Sequence, residues 1–468
     1  MSKFTLRGKD LLPIGFKQGR AIGIAVNVMQ KHYPKIEREQ KLAILSDIIA
    51  QPETYLEHEI LGGIARELLP PVQISPVPID LLPTHLPYSI FGAEHIEEGA
   101  IDQMKVAMSL PVTLEGALMP DAHQGYGLPI GGVLATRNAV IPFGVGVDIG
   151  CRMCLTVYDI APSYLGGHLD RFKQYLNEHT RFGMGGEFEQ PMDDEILSHA
   201  AFSEIGIVKG LQNKAARQIG SSGGGNHFVE FGVVEIADEP NELNLPKGNY
   251  IGILSHSGSR GLGATLANHY TNLAVAQCPL PKGAQHLAWL DLDTELGQEY
   301  WIAMNLAGDY ASACHNHIHR RLARALGCKP LARVENHHNF AWKETLADGT
   351  EAIVHRKGAT PAAKGVLGII PGSMASAGYI VRGRGHLSSL NSASHGAGRL
   401  LSRRKALDSI TQHALQELLF QQGVTLIGGG LDEAPMAYKD IGTVMAAQQE
   451  LVDIVGIFRP KIVRMAQE

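Results

Sequence analysis

The sequence predicts an α+β fold: one large domain over residues 81–468, preceded by a small helical extension over residues 1–80. Three observations point there. Residues 1 to about 70 carry apolar side chains at three- and four-residue spacing, the helical period. Pro70, Pro71, Pro76, Pro78 and Pro83 then punctuate a segment that can continue neither a helix nor a central strand. From about residue 85, short apolar runs alternate with glycine-rich turns and a few helices. Those helices do not follow strands regularly enough for a barrel or a doubly wound sheet.

In the extension, 19–32 and 38–68 read as helices, the second through Ile44, Ile48, Ile49, Ile60, Ile64 and Leu68. In the large domain the patterns predict strands at 112–118, 132–137, 152–158, 227–236, 249–254, 366–370, 377–382 and 424–427. Helices are expected at 97–109, 163–178, 207–218, 261–276, 295–326, 403–422 and 441–453. The longest, 295–326, offers an apolar face through Trp301, Met304, Leu306 and Ala307, with His315, His317 and His319 near its end.

Composition limits the function. Lys+Arg 41 against Asp+Glu 47 leaves a net charge of −6, which excludes a globally basic nucleic-acid binder. Hydrophobic residues at 44% and charged residues at 19% describe a globular chain. The 53 glycines point to tight turns and close backbone approaches, and the 21 histidines to metal or acid–base chemistry. Five cysteines, an odd number in a chain this long, do not make a disulfide framework. The start has no apolar leader core and no run of eighteen apolar residues occurs, so the expected setting is the cytoplasm. Charge is uneven, however. Between Glu351 and Asp408 there is no acid but nine cations, among them Arg356, Lys357, Arg382, Arg399 and Arg403. Such a run is either a surface that meets phosphate or a basic face neutralised by acids elsewhere.

Five constellations could carry chemistry. Asp148 and Cys151 flank a glycine turn and can converge on one ion, whereas the Cys151–Cys154 pair has no second CxxC to make a zinc knuckle. Ser221 to His227 includes three consecutive glycines that let backbone N–H groups approach an anion. Ser255-His256-Ser257-Gly258-Ser259-Arg260 sits between a strand and a helix start, a place suited to phosphate, without the spacing of a Walker loop. Of the adjacent His337 and His338, pointing different ways, one at most is a ligand. His395 lies among small residues with Arg399 four positions on, placed for nucleophilic attack or proton transfer. Together these residues suggest a metal-dependent enzyme acting on phosphates. A metal-stabilised RNA-binding protein and a zinc hydrolase remain alternatives, the latter without an H-E-x-x-H motif.

The order of these motifs resembles that of the RtcB-type RNA ligases. The resemblance rests on MPDAHQGYG at 119–127, GVDIGC at 146–151, GGGNHFVE at 223–230, HSGSRGLG at 256–263 and HHN at 337–339. It continues through RKGAT at 356–360, PGSM at 371–374, HGAGR at 395–399 and DEAPMAYKDI at 432–441. It implies a GTP- and Mn²⁺-dependent ligase joining RNA 3′-phosphate or 2′,3′-cyclic phosphate ends to 5′-hydroxyl ends, in RNA repair or tRNA splicing. An archease-type activator is an implied partner. The alternative is a protein that binds RNA, or opens cyclic phosphates, without joining ends. By carry-over, Asp148, Cys151, His227, His256 and His338 would hold two manganese ions with Cys151 bridging, and His395 would become guanylated. Arg260 and Arg399 would meet phosphate. Asn226, Glu230, Ser373 and Tyr438 would contact the nucleotide, and Asp121 belongs to a motif that also serves it. The chain departs from the family pattern at Gly378, where a serine is usual, and at Arg152, where a glycine usually follows the cysteine.

Overall fold

β-Branched and aromatic residues dominate Phe228–Ile236, which pairs with Gly248–Ser257 in the middle of a mostly antiparallel sheet. The computed structural model describes residues 6–17, 19–69 and 77–467, so Pro70, Pro71 and Pro76 lie outside the described residues. Among the described residues this sheet has eight strands. Leu367–Ile370, Gly378–Gly383, Val452–Met465, Phe228–Ile236, Gly248–Ser257, Arg152–Tyr158 and Pro330–His337 lie side by side in that order. Thr425–Ile427 adds in parallel to Val452–Met465. A second sheet orders Ser89–Ile90, Thr113–His123, Ile130–Thr136, Glu351–Lys357 and Asn339–Thr345. Helices and sheets are both present, as an α+β fold requires.

Contact between elements divides the chain into two compact units, Met1–Pro76 and Val77–Glu468. In the first, the helices Arg20–His32, Arg38–Ala50 and Gly62–Leu68 close over Ala25, Met29, Leu45, Ile48 and Ile64. The helix expected over 38–68 is therefore two. Pro52, which has no N–H to donate, opens a separate 3₁₀ turn over Pro52–Tyr55.

In the larger unit the helix Glu295–Leu326 and the strand Arg152–Tyr158 fall where the sequence predicts them. Thr294 caps the helix by accepting from Gly297 N. Strand alternation sends Arg152, Cys154 and Thr156 toward this helix, where Arg152 Nη2 donates to Gly308 O at 2.7 Å. Met153, Leu155 and Val157 join the core that includes Val234, Ile380 and Phe458. Other expectations need correction. The helices expected over 163–178, 207–218 and 403–422 are each broken in two, at His168, at Gly210–Leu211 and at Ile410–Thr411. At the last break the Thr411 hydroxyl accepts from Ala414 N and starts the new helix. The helix expected over 441–453 ends at Ala446, because Val452–Met465 pairs with strands on both sides.

The acid-free run is not one open surface. Arg356 is 1% exposed, receives both oxygens of Glu344 at 2.6 and 3.1 Å, donates to Ser392 Oγ and Leu390 O, and stacks on Trp342. Arg382 and Arg384 pair with Asp453, Arg399 with Glu433, and Arg403 with Asp432 and Glu433. Acids from distant segments thus neutralise most of it.

Two predictions follow from these buried groups. Removing Glu344 leaves the Arg356 guanidinium uncompensated in the core, so Glu344→Ala should cost about 3 kcal/mol in chemical denaturation. Asp408→Ala, which removes an exposed pair with Arg404, should leave stability unchanged. His355, fully buried, is pushed by burial down to about 4. The unfolded chain therefore binds this proton first as the pH falls below about 6.5. Stability should decline by roughly 1.4 kcal/mol per pH unit toward pH 4 from this group alone, measured as a falling urea midpoint.

Candidate functional site

Five donor side chains from four separate elements converge at one end of the central sheet. Asp148 and Cys151 come from the turn entering Arg152–Tyr158, His227 from the residue before Phe228–Ile236, His256 from Gly248–Ser257, and His338 from the turn after Pro330–His337. Cys151 Sγ lies 3.3 Å from His227 Nε2 and 3.2 Å from His256 Nε2. His256 Nε2 is 3.2 Å from His338 Nε2, and His227 Nε2 is 2.9 Å from Asp148 Oδ2. Glycine makes the approach possible: a Cβ on Gly258 would sit 2.0 Å from Asp148 Oδ1.

The proton inventory shows what this cluster wants. His256 Nδ1 faces the carbonyl of Asn226 at 2.9 Å, and a carbonyl only accepts. That nitrogen carries the hydrogen, so the Nε2 facing Cys151 and His338 is a lone pair. Burial pushes His256 down to about 3 and His338 well below its ordinary value, so both imidazoles are neutral donors. Burial would raise the Asp148 carboxyl, but the hydrogen bond and charge of His227, with Cys151 and His256, hold it below its ordinary value. Burial and the Asp148 carboxylate push the Cys151 thiol well up. Lone pairs and a carboxylate aimed at one point, with one ring nitrogen already fastened to a carbonyl behind, fit a divalent cation. A proton on Cys151 competes with that cation.

Beside the cluster lies a cavity of about 250 Å³. His395 stands on its wall, with its ring 5.0 Å from that of His338. Behind it is Asp121, fully buried, whose Oδ2 accepts from His395 Nδ1 at 2.6 Å, His395 N at 3.0 Å and Gly396 N at 3.3 Å. Burial alone would raise this carboxyl; the charge and hydrogen bond of His395, with His123 and Lys439, hold it below its ordinary value. Its charge keeps the hydrogen on Nδ1, and His395 Nε2 is left as the free nitrogen. Gly398 permits the loop's close pass: it has φ 75, and a Cβ there would meet Asp121 O at 2.1 Å.

The cavity wall brings together Asn226, Ser373, Tyr438, Arg399, His256 and His338 with His395. Arg399 is held by Glu433 Oε2 at 3.2 Å and Asp432 O at 2.6 Å, and lies over the Tyr438 ring. Tyr438 in turn donates to Glu433. Of the residues expected to serve nucleotide or phosphate, three are off the wall. Asp121 reaches the cavity only through His395. Glu230 is 4% exposed in mid-strand, opposite Leu254 and Val463, and burial pushes its carboxyl well above the usual range. Arg260 starts its helix in the left-handed region, φ 55, and its guanidinium donates to Ser221 Oγ at 3.1 Å and Gly183 O at 2.6 Å. Sequence reasoning assigned no role to Asp432 and Glu433, although their adjacent carboxylates stand in the quoted DEAPMAYKDI motif. They are almost fully buried and hold Arg399 and Arg403 at the cavity. His123, Phe228 and Met465 also line it; His123 and Phe228 stand in segments the sequence singled out, and Met465 does not.

Comparison with known proteins agrees with this geometry. A model of the family described as tRNA-splicing ligase RtcB matches residues 103–466. The RNA-splicing ligase RtcB of Escherichia coli K12 is 32% identical over 404 residues, covering 78% of this chain and 93% of that protein. The tRNA-splicing ligase RtcB of Thermococcus kodakarensis is 29% identical over 479 residues, covering 84% and 98%. That of Nanoarchaeum equitans is 30% identical over 460 residues, covering 80% and 94%. With the ordered motifs, the donor cluster and a match over most of its length, the chain belongs to the RtcB ligase family.

Proposed function

We propose that this protein is an RNA ligase that uses GTP and Mn²⁺ to join RNA 3′-phosphate or 2′,3′-cyclic phosphate ends to 5′-hydroxyl ends through a guanylated His395. One observation carries the reading: His395 Nδ1 is fixed by the buried Asp121 carboxylate while the ring stands on a cavity beside five metal donors. Asp148, Cys151, His227, His256 and His338 would hold two ions, with the Cys151 sulfur between two imidazoles suited to bridging. Bound manganese supplies charge neutralisation for the phosphate oxygens. Softness and the Irving–Williams order would favour zinc on this donor set, so manganese rests on family membership.

The chain's own residues have definable tasks. Asp121 sets the tautomer and orientation of His395, as an orienting carboxylate does for a nucleophilic or basic imidazole. His395 Nε2 then attacks the α-phosphorus of GTP, forming a P–N bond as the bond to pyrophosphate breaks. An RNA 3′-phosphate oxygen takes the guanylyl group from His395. The RNA 5′-hydroxyl attacks the activated 3′-phosphate, loses its proton and displaces GMP. A cyclic phosphate must first be opened by water to a 3′-phosphate. Arg399, held flat by Glu433, Asp432 and Tyr438, is oriented toward the phosphates, and Asn226, Ser373 and Tyr438 toward the nucleotide. The active Cys151 must be a free thiol, and the reading therefore places the protein in the reducing cytoplasm. All five cysteines are unpaired, and no described helix is long and apolar enough to cross a membrane.

The test is transfer of label from α-labelled GTP. With Mn²⁺ the full chain should take up an acid-labile label, and His395→Ala should take up none. Asp121→Asn should slow labelling by about 10²–10⁴-fold at unchanged metal content. A label that survives in His395→Ala, or wild-type protein that holds metal and opens cyclic phosphate without joining ends, overturns the reading. Tyr438→Phe removes one hydrogen bond at the nucleotide wall. It should raise the KM for GTP by roughly tenfold with little change in kcat.

A further inference from the structure

The sheet that carries the catalytic cluster on one face carries a second set of donors on the other. His256 is flanked in its strand by Ser255 and Ser257, which alternation sends to the opposite face, toward the helix Glu295–Leu326. Cys154 is the direct cross-strand partner of Ser255. His315 and His319 are four residues apart on the helix, on the side that meets these strands. All three residues are buried, and their donor atoms lie within 4.8 Å of one another. His315 Nδ1 and His319 Nε2 approach the same atom, Ser255 Oγ, at 2.6 and 2.7 Å. Their other ring nitrogens are already fastened: His315 Nε2 to Ser257 O at 3.1 Å and His319 Nδ1 to Thr156 Oγ1 at 2.7 Å.

We propose that Cys154, His315 and His319 form a second metal site, separate from the catalytic cluster, that takes zinc. One thiolate and two imidazoles are a zinc donor set by softness and by geometry. Outward partners on both histidines are what orient ligand imidazoles and raise their basicity. An ion also has a way in, because His319, Thr156, Arg333 and Cys328 line a cavity of about 710 Å³. Binding draws the donors in to separations of roughly 3.5 Å, set by bonds of about 2.0–2.3 Å. Side-chain rotation supplies this closure, and the fourth tetrahedral position is left to solvent. The thiol proton of Cys154 leaves to bulk water as the Zn–S bond forms; burial pushes the free thiol up, and the Arg333 guanidinium beside it offsets part of that. Such an ion ties the long helix to Arg152–Tyr158 and Gly248–Ser257, the strands that lead into the Cys151 turn and carry His256.

A competing arrangement of the same atoms needs no ion. The Thr156 hydroxyl can donate to His319 Nδ1, His319 Nε2 to Ser255 Oγ, Ser255 to His315 Nδ1, and His315 Nε2 to Ser257 O. Each proton then has one place, and Cys154 stays a thiol. Cobalt substitution separates the two. In full-length Cys151→Ala the catalytic cluster has no sulfur, so a thiolate-to-cobalt charge-transfer band reports on Cys154. The proposal expects that band, and expects zinc to remove it. It also expects the double variant Cys151→Ala with Cys154→Ser to show no band and to bind one fewer metal ion per chain. Cys151→Ala protein that binds cobalt with no such band overturns the proposal, even where the double variant fails to fold. A band that persists in the folded double variant overturns it too. These readouts need no ligation activity, so they stand or fall separately from the ligase reading.

Discussion

The convergence of lone pairs from Asp148, Cys151, His227, His256 and His338 is the constraint on which the rest of the structure depends. His256 Nε2 is a lone pair with a sulfur and another ring nitrogen both 3.2 Å away. His227 Nδ1 and His338 Nδ1 are buried without a hydrogen-bond partner. A buried polar cluster left in this state is costly. The fold keeps it because the donors sit at the ends of paired strands and in the tight turns joining them, where backbone pairing leaves little freedom to relax apart. Gly258 and Gly223 are a consequence, since a Cβ on either would run into Asp148 or His227.

Period-two alternation then decides what each strand contributes. Cys151 and Cys154 look like a pair in the sequence, but they cannot serve one ion. Cys151 ends a turn on the catalytic side, while Cys154 points through the sheet toward the long helix and its histidines. The same alternation separates His256 from Ser255 and Ser257. A sheet with polar side chains on both faces needs a polar partner on each. The cavity supplies one and the helix Glu295–Leu326 the other, which is why this helix carries the buried His315 and His319.

Legibility in the sequence followed how local each determinant was. The strand Arg152–Tyr158 and the helix Glu295–Leu326 were readable to the residue, because an apolar run bounded by turns and a long 3.6-residue period are local signals. The first two residues of Val452–Met465 were read as the end of a helix and the rest was given no element, since its pairing with Phe228–Ile236 and Gly378–Gly383 is invisible locally. Chemistry-bearing residues were legible through their glycine-rich surroundings, which locate His227, His256 and His395 without any contact map. Asp432 and Glu433 were not, because a buried acid announces itself only through the arginines it meets. The cationic run between Glu351 and Asp408 misled for the same reason: it is contiguous in sequence, but its acids come from Glu242, Glu344, Asp432, Glu433 and Asp453.

That neutralisation bears directly on why the proposed chemistry needs metal. A triphosphate entering the cavity meets Arg399 and Arg403, yet both already answer the buried carboxylates of Asp432 and Glu433. His395 brings no compensating charge, since its hydrogen on Nδ1 is shared with an Asp121 carboxylate. Counted this way, the protein side of the cavity is close to neutral, and a polyanion would bind it poorly in a partly desolvated site. The positive charge that phosphoryl transfer requires must therefore arrive with the ions that the donor cluster is built to hold. In the proposed reaction the arginines would fix orientation and the ions supply charge, while Asp121 holds the Nδ1 hydrogen of His395 and leaves its other nitrogen free.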